Sequence, residues 1–433
     1  MIKKPIINYQ LFKKSLNDKD AFFGLPKELE FCKNCVISNQ RPNSAVEHSH
    51  TKNTKKKTIN FDNLGVCDAC RQAEKKKKIN WADREKELKD LCNRFRKNDG
   101  NYDCLIPGSG GKDSFFQAHI LKHKFGMNPL TVTWAPNIHT DWGRRNFQKW
   151  IHAGFDNHLV TPNGLVTRLL TRLAVENLFH PFQPFMMGQK YMAPKLAAQL
   201  DIPLIFYGEN EAEYGNPLVD NESSKRDWSY FTSEEDKVHI GGVSLENLKN
   251  EYGLKKSDLK IFMPPNPEII ENKNVEVHYL GYYLSWHPQG AYYYSVENGD
   301  FEASPERTAG TYSKYNSIDD KIDDFHFYCY YIKFGIGRAT YDAAQECRSG
   351  DLEREEAQML VKRYDGEFPE RFSEEIFKYL SIDKKKFPIA YKNFEVPIMN
   401  REHFDSLADS FRSPHIWNFE NGKWSLKKTV FDV

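Results

Sequence analysis

Between residues 103 and 207 short apolar runs alternate with stretches whose apolar residues recur three and four positions apart, and the two periods predict strands and helices in turn. The pattern reads as a strand over 103–107, a helix over 115–125, a strand over 130–134 and a helix over 143–153. It continues as a strand over 157–160, helices over 165–178 and 191–200, and a strand over 202–207. A further helix, with Asn80 at its N-cap and Trp81, Leu88, Leu91, Cys92 and Phe95 on one face, leads into the first strand. Such alternation implies an α/β fold with a doubly wound parallel sheet, whose ligands bind beyond the carboxyl ends of the strands. Those ends carry the loop after Pro107, the segment Ala135 to Asp141, and Gly208-Glu209-Asn210-Glu211.

The loop after Pro107 reads Gly108-Ser109-Gly110-Gly111-Lys112-Asp113-Ser114. Backbone N–H groups at a helix start favour anions, and glycines let phosphate oxygens come close to them. A Walker A loop has four residues between its glycines and a hydroxyl directly after its lysine. Here Gly108 and Gly111 are too close, and Asp113 stands where the hydroxyl belongs. The string instead resembles SGGxDS, the signature of the PP-loop ATP pyrophosphatases, which have a HUP-like fold and cut ATP between its α- and β-phosphates. That resemblance implies that Ser109, Gly110, Gly111 and Ser114 hold the pyrophosphate, Lys112 offsets its charge and Asp113 holds Mg2+. After the last strand, Glu209, Asn210, Glu211 and Glu213 could hold magnesium or grip a hydroxylated substrate.

Composition narrows the classes. The net charge is +1 over 433 residues, so nothing demands a polyanionic partner, and the lysine runs at 55–57 and 75–78 read as solvated faces. The first thirty residues lack an apolar signal core, and no apolar run nears the ~18 residues of a membrane span. A cytoplasmic protein is expected. Four of the eight cysteines fall in two Cys-x-x-Cys pairs, Cys32 with Cys35 and Cys67 with Cys70. Two residues between thiolates turn both sulfurs toward one ion, so the pairs together predict a closed structural Zn2+ site. The stretch from Asn43 to Asn60, with His48 and His50, reads as a solvated excursion between the knuckles, and either histidine is an alternative ligand. Cys92, Cys104, Cys329 and Cys347 read as buried thiols.

Residues 220–260 read as a polar lid or connector. The last third begins with the aromatic run from Val275 to Trp286. It continues through Arg307-Thr308-Ala309-Gly310-Thr311-Tyr312 and Asp319-Asp320-Lys321 to Lys333-Phe334-Gly335-Ile336-Gly337-Arg338. A helix pair over 340–362 breaks near Gly350, with Asp351 capping its second member. Cations beside glycines and rings suit a negatively charged sugar nucleotide, and a helical packing layer over the sheet is the competing reading. Three segments result: 1–98, a zinc-knuckle module with its lead-in helix; 99–270, the ATP domain; and 271–433, a helical, aromatic-rich extension that binds substrate.

The chain as a whole resembles the N-acetyl sugar amidotransferases of bacterial surface-polysaccharide synthesis, of the WbpG and PseA type. The resemblance runs from Cys-Lys-Asn-Cys at 32–35 through SGGKDS and the Gly-Glu-Asn turn at 208–210. It extends to RTAGTYSKY at 307–315, KFGIGRATYDAAQE at 333–346 and REEAQMLVKRYDGEFP at 354–369. It implies conversion of an acetamido group on a nucleotide-linked N-acetyl sugar to an acetamidino group at the expense of ATP. Ammonia would come from glutaminase and synthase subunits similar to those of histidine biosynthesis, and the chain has no glutaminase nucleophile motif of its own. Lys112, Asp113, Glu209 and Asn210 would be catalytic, while Arg307, Thr308, Gly310, Thr311, Tyr312, Lys333 and Arg338 would contact the sugar nucleotide. A tRNA-modifying PP-loop enzyme, a thiolase or lysidine synthetase, is the rival class, and a silent ATP-binding subunit is a third.

Overall fold

A computed structural model describes residues 1–15, 20–43, 46–209, 211–216 and 223–432. Its centre is a parallel sheet of five strands: β1 (Cys104–Pro107), β2 (Pro129–Trp134), β3 (Asp156–Val160), β4 (Leu204–Tyr207) and β5 (Glu276–Tyr279). Their spatial order is β3-β2-β1-β4-β5. Leading into the sheet or connecting its first four strands are α1 (Asp68–Lys76), α2 (Trp81–Phe95), α3 (Lys112–His123), α4 (Asp141–His152), α5 (Gly164–Leu178) and α6 (Gln183–Leu200).

Side chains alternate across a strand, and β1 shows what this does. Leu105 joins a core with α5, α6 and the segment around Val238, Ile240 and Phe262. Cys104 and Ile106 face the other way, into a core with Leu88 and Leu91 of α2, Phe115 of α3, and Phe147 and Trp150 of α4. Both faces are covered, which is why β1 and β4 read as unbroken apolar runs. The edge strand β3 is instead polar and largely exposed, as suits an unpaired sheet edge.

Several expectations change. The helix expected over 191–200 begins at Gln183, because Pro184 sits in the first turn, where its missing N–H costs nothing, and Pro194 is accommodated inside. At Gly188 of α6 an added Cβ would meet the Trp134 ring at 2.1 Å, so a glycine lets the helix lie close on β2. The fifth strand lies within the run read only as aromatic, which carries the sheet beyond residue 270. Residues 220–260 do not form a polar lid where they are described. Val238, Ile240, Leu248 and Leu259 are buried in the core against α6. The stretch 43–60 is no solvated excursion either: Glu47, His48 and His50 are buried, the His48 ring nitrogen lies 2.8 Å from the Tyr191 hydroxyl, and the Gln183 amide donates to the Glu47 carbonyl at 2.9 Å.

The C-terminal region is helical, with helices Pro288–Gly299, Asp323–Phe334, Arg338–Ser349, Arg354–Tyr364, Ser373–Leu380 and Arg401–Phe411 before a hairpin at Trp417–Leu426. The break falls at Gly350, in the left-handed region, but the second helix of the pair is capped by Glu353, not by Asp351, which faces His287 at 3.4 Å. No helix among the described residues is long and apolar enough to cross a membrane.

Arg172 of α5 pins this region to the sheet domain. It is fully buried, pairs with Glu176, and donates to the carbonyls of Leu380, Val396 and Pro397 at 2.9, 2.5 and 2.9 Å. Arg172→Ala would take from Glu176 its cationic partner, leaving it, among the described residues, only the His403 ring, and would strip three carbonyls of this donor. Urea unfolding should show a loss of about 3–5 kcal/mol, read as a lower midpoint.

Candidate functional site

Because β1 lies between β2 and β4, the loops after β1 and β4 leave the sheet on either side of one crevice. Gly108 to Gly111 turn the chain from β1 into α3, whose N-cap is Gly111. Gly110 has φ +86°, and a Cβ there would come within 2.8 Å of the Phe147 backbone, so only glycine serves. Lys112 and Asp113 form the first turn of α3. The Lys112 ammonium, on a residue only 5% exposed, donates to both Asp113 carboxylate oxygens at 2.7 Å. Ser114 Oγ donates to the Gly111 carbonyl at 2.9 Å, and Ser295 Oγ of the helix Pro288–Gly299 donates to the Lys112 carbonyl at 2.8 Å.

A cavity of about 570 Å³ opens over this turn. Ser109, Gly111, Lys112, Asp113, Ser114 and Glu209 all line it. Glu209 Oε1 accepts from Trp286 Nε1 at 3.2 Å and from Gln345 Nε2 at 3.4 Å. Burial, and then the negative charge of Asp113, push its carboxyl up to about 8, against the opposing pull of Lys112. Glu213, just beyond, is paired with Lys76 of α1 at 2.8 Å. Asn210 lies outside the described residues.

Asp319, Asp320 and Asp323 also line the cavity, and their role was not read from the sequence. Ser109 Oγ donates to Asp319, whose carboxyl is raised by burial and by Asp113. Asp320 accepts the backbone N–H groups of Asn137 and Ile322 at 2.5 and 3.0 Å, which fastens the segment after β2 to the C-terminal region. The adjacent acids were visible at 319–320, but no period or spacing tied them to a loop two hundred residues earlier.

The residues expected to contact substrate are placed differently. Arg307 forks onto Glu367 with both bonds at 2.6 Å, Thr311 Oγ1 donates to Asp342 at 2.6 Å, and Tyr312 donates to Glu346 at 2.7 Å. The Thr308 amide donates to the Ser313 carbonyl and the Gly310 amide to Glu367, which closes the turn. None of these lines the main cavity. Arg338 pairs with Asp342 at 3.0 Å and lies 4.3 Å over the ring of Phe327, which does line it. Lys333 is buried, donates to the Leu178 carbonyl at 2.7 Å, and lines a separate, smaller cavity.

Cys32, Cys35, Cys67 and Cys70 come together in one buried cluster whose sulfurs all lie within 4.8 Å of one another. Cys32 and Cys70 are 3.8 Å apart, and Cys35 and Cys67 are 3.9 Å apart. Sulfurs about 2.3 Å from a tetrahedral zinc are separated by about 3.8 Å, so this donor set fits a closed zinc site. Neither His48 nor His50 belongs to it. The Arg354 guanidinium donates to the carbonyls of Cys32 and Cys35 at 3.3 Å. Burial opposes the charge of nearby Arg348, but Cys35, Cys67 and Cys70 outweigh it and raise the guanidinium. The cysteines share an apolar cluster with Phe334, Ile336, Ala343, Ala344, Ala357 and Val361, so the two ends of the chain have one core.

Residues 309–430 match the family described as LPS biosynthesis protein WbpG-like, C-terminal domain. The helical region that closes the cavity is therefore similar to a domain of proteins in polysaccharide biosynthesis. An uncharacterized protein of Methanocaldococcus jannaschii is 37% identical over 83 residues, which is 19% of this chain and 29% of that protein's length.

Cys67→Ser opens the tetrathiolate cluster. Freshly purified reduced protein should contain one equivalent of zinc, and the variant should lose it and melt at a lower temperature. Glu209 makes a pH-dependent contribution. Below 4.5, its ordinary value, the carboxyl is protonated folded or unfolded; between 4.5 and about 8 only the unfolded chain ionises, so stability falls through that window. Glu209→Gln should thus raise the melting temperature relative to wild type at pH 9 and change it little at pH 4.

Proposed function

We propose that this protein is an ATP-dependent, AMP-forming amidotransferase that converts the acetamido group of a nucleotide-linked sugar to an acetamidino group in the biosynthesis of a surface polysaccharide. Its support is the meeting, in one cavity, of a non-Walker phosphate turn and an acidic strand end, under a helical region similar to the WbpG-like C-terminal domain. An acetamido oxygen is a poor leaving group. Attack of that oxygen on the α-phosphorus of ATP expels pyrophosphate and leaves the carbon joined through oxygen to AMP. Ammonia then adds to that carbon, and the C–O bond breaks to release AMP and the amidine.

Each residue has a task in this scheme. The loop amides and the Ser109 and Ser114 hydroxyls would hold the departing pyrophosphate at the start of α3, while Lys112 balances its charge. Magnesium, when bound, would shield the triphosphate. Asp113 is the carboxylate to hold it, since that ion binds through one or two carboxylates together with phosphate oxygens. Glu209, with a carboxyl near 8, is suited to take a proton from the adding nitrogen once it is ionised, at mildly basic pH. Asn210 would orient the acetamido group. Ammonia would be delivered by partner glutaminase and synthase subunits in the cytoplasm, as the resemblance implies. A tRNA thiolase would need a sulfur-handling cysteine at the loop; Cys104 is fully buried on β1, and burial raises its thiol well above the usual range.

Incubated with ATP, ammonium and a panel of nucleotide-linked N-acetyl sugars, the protein should release AMP and pyrophosphate and give one sugar product 1 Da lighter, read by mass spectrometry. ADP and phosphate as products would refute the reading. Asp113→Asn should cut turnover by at least about a hundredfold while leaving the melting temperature near that of wild type.

A further inference from the structure

Adjoining the main cavity, and sharing Met186, Lys190 and His326 with it, is a second cavity of about 200 Å³. Its walls come from residues 41–43 and Glu47, His50 and Lys56, from the α5–α6 junction and from the helix Asp323–Phe334. Four cationic side chains line it, Arg41, Lys56, Lys190 and Lys333, against a single carboxylate, Glu47. Glu47 is 3% exposed and is already engaged, with Lys190 Nζ at 3.5 Å, His50 Nδ1 at 3.4 Å and His180 Nε2 at 3.7 Å. Burial works against its charge, but Lys190, His50 and His180 outweigh this and hold the carboxyl well below the usual range. Lys56 Nζ donates to His50 Nε2 at 2.9 Å, so His50 accepts there as a neutral ring. An ammonium has three donors, and the bond to His50 uses one from Lys56, as the bond to the Leu178 carbonyl uses one from Lys333.

Even with Lys190 set aside, Arg41, Lys56 and Lys333 face the one carboxylate, Glu47, that lines this cavity. Burial and the neighbouring Lys56 bring Lys333 down to about 7, and burial, with Lys190, brings Lys56 down to about 8. A bound anion would relieve that repulsion, whereas an ammonium ion or a metal cation would add to it. The volume suits a carboxylate or phosphate with its adjoining atoms and falls below that of a pocket for a whole nucleotide. We infer that the second cavity is an anion subsite, in which Arg41, Lys56, Lys190 and Lys333 hold a carboxylate or phosphate group of the same substrate whose reacting end lies in the main cavity. This rests on the reading of the main cavity as the place of a sugar-linked substrate. It gives Lys333 a substrate contact, and it makes Arg41, Glu47, His50 and Lys56 part of the wall of the binding site.

The two sources of such an anion are a carboxylate on the sugar and a phosphate of the nucleotide link. Calorimetric titration of the full, zinc-containing chain without ATP separates them, with glucuronate in one arm and inorganic phosphate in the other. At least one probe should bind wild type saturably. Lys56→Gln and Lys333→Gln should each weaken that binding by about tenfold or more, and Lys56→Arg should retain it. Loss confined to glucuronate assigns the subsite to a sugar carboxylate, and loss confined to phosphate assigns it to the nucleotide link. Equal binding by wild type and Lys56→Gln, as for phosphate seated only on the turn after β1, overturns the inference, and so does binding of neither probe. Lys333 is buried, so its variant tests folding together with binding; Lys56 is partly exposed, so its variant decides. No turnover is measured, so failure to form AMP would refute the amidotransferase reading and leave this result standing.

Discussion

Because β1 hydrogen-bonds in parallel to β2 on one side and to β4 on the other, the chain leaves the sheet after Pro107 and after Tyr207 around a single crevice. Parallel pairing aligns the carboxyl ends of both strands, and the change of winding direction keeps the two loops from covering each other. Lys112 and Asp113 stand on one lip and Glu209 on the other. That approach couples the two lips electrostatically: the charge of Asp113 reaches Glu209, and Lys112 moderates it.

The crevice is completed from both ends of the chain. The cysteine cluster packs against the helix Arg338–Ser349, whose Gln345 donates to Glu209, and α1 starts at the second cysteine pair and sends Lys76 to Glu213. The cluster lies outside the crevice, yet both helices that it braces put a side chain on the acidic turn after β4. From the other side the segment around Asp319 and Asp320 ties the glycine turn after β1 to the segment after β2. The C-terminal region thus acts less as a separate lobe than as a cover whose own polar groups are spent on holding it in place, as Arg307 with Glu367 and Arg338 with Asp342 show.

Burial sets the electrostatics of the two cavities in opposite senses. In the main cavity Glu209 and Asp319 lie near Asp113, and desolvation keeps both carboxyls above their ordinary range. In the smaller one desolvation lowers the lysines. The two meet at Lys190 and His326, so a region lined by carboxylates and a region lined by cations lie side by side.

What was legible in the sequence is what depends on neighbours along the chain. The strand period, the cap at Asn80, the glycine turn entering α3 and the paired Cys-x-x-Cys spacing all express local geometry, and each lies in the structure as its spacing implies. The long interval between the cysteine pairs concealed a buried stretch, because Glu47, His48 and His50 look like surface residues until Tyr191 and Gln183 of α6 supply their partners. Only the tertiary structure could bring Asp319 to Ser109, or Gln345 and Trp286 to Glu209. It also decided which arginines support the cover and which cations line a cavity. A charged side chain has the same sequence signature whether it meets a ligand or a carboxylate of its own chain, and the choice is made by what the fold brings within hydrogen-bonding distance.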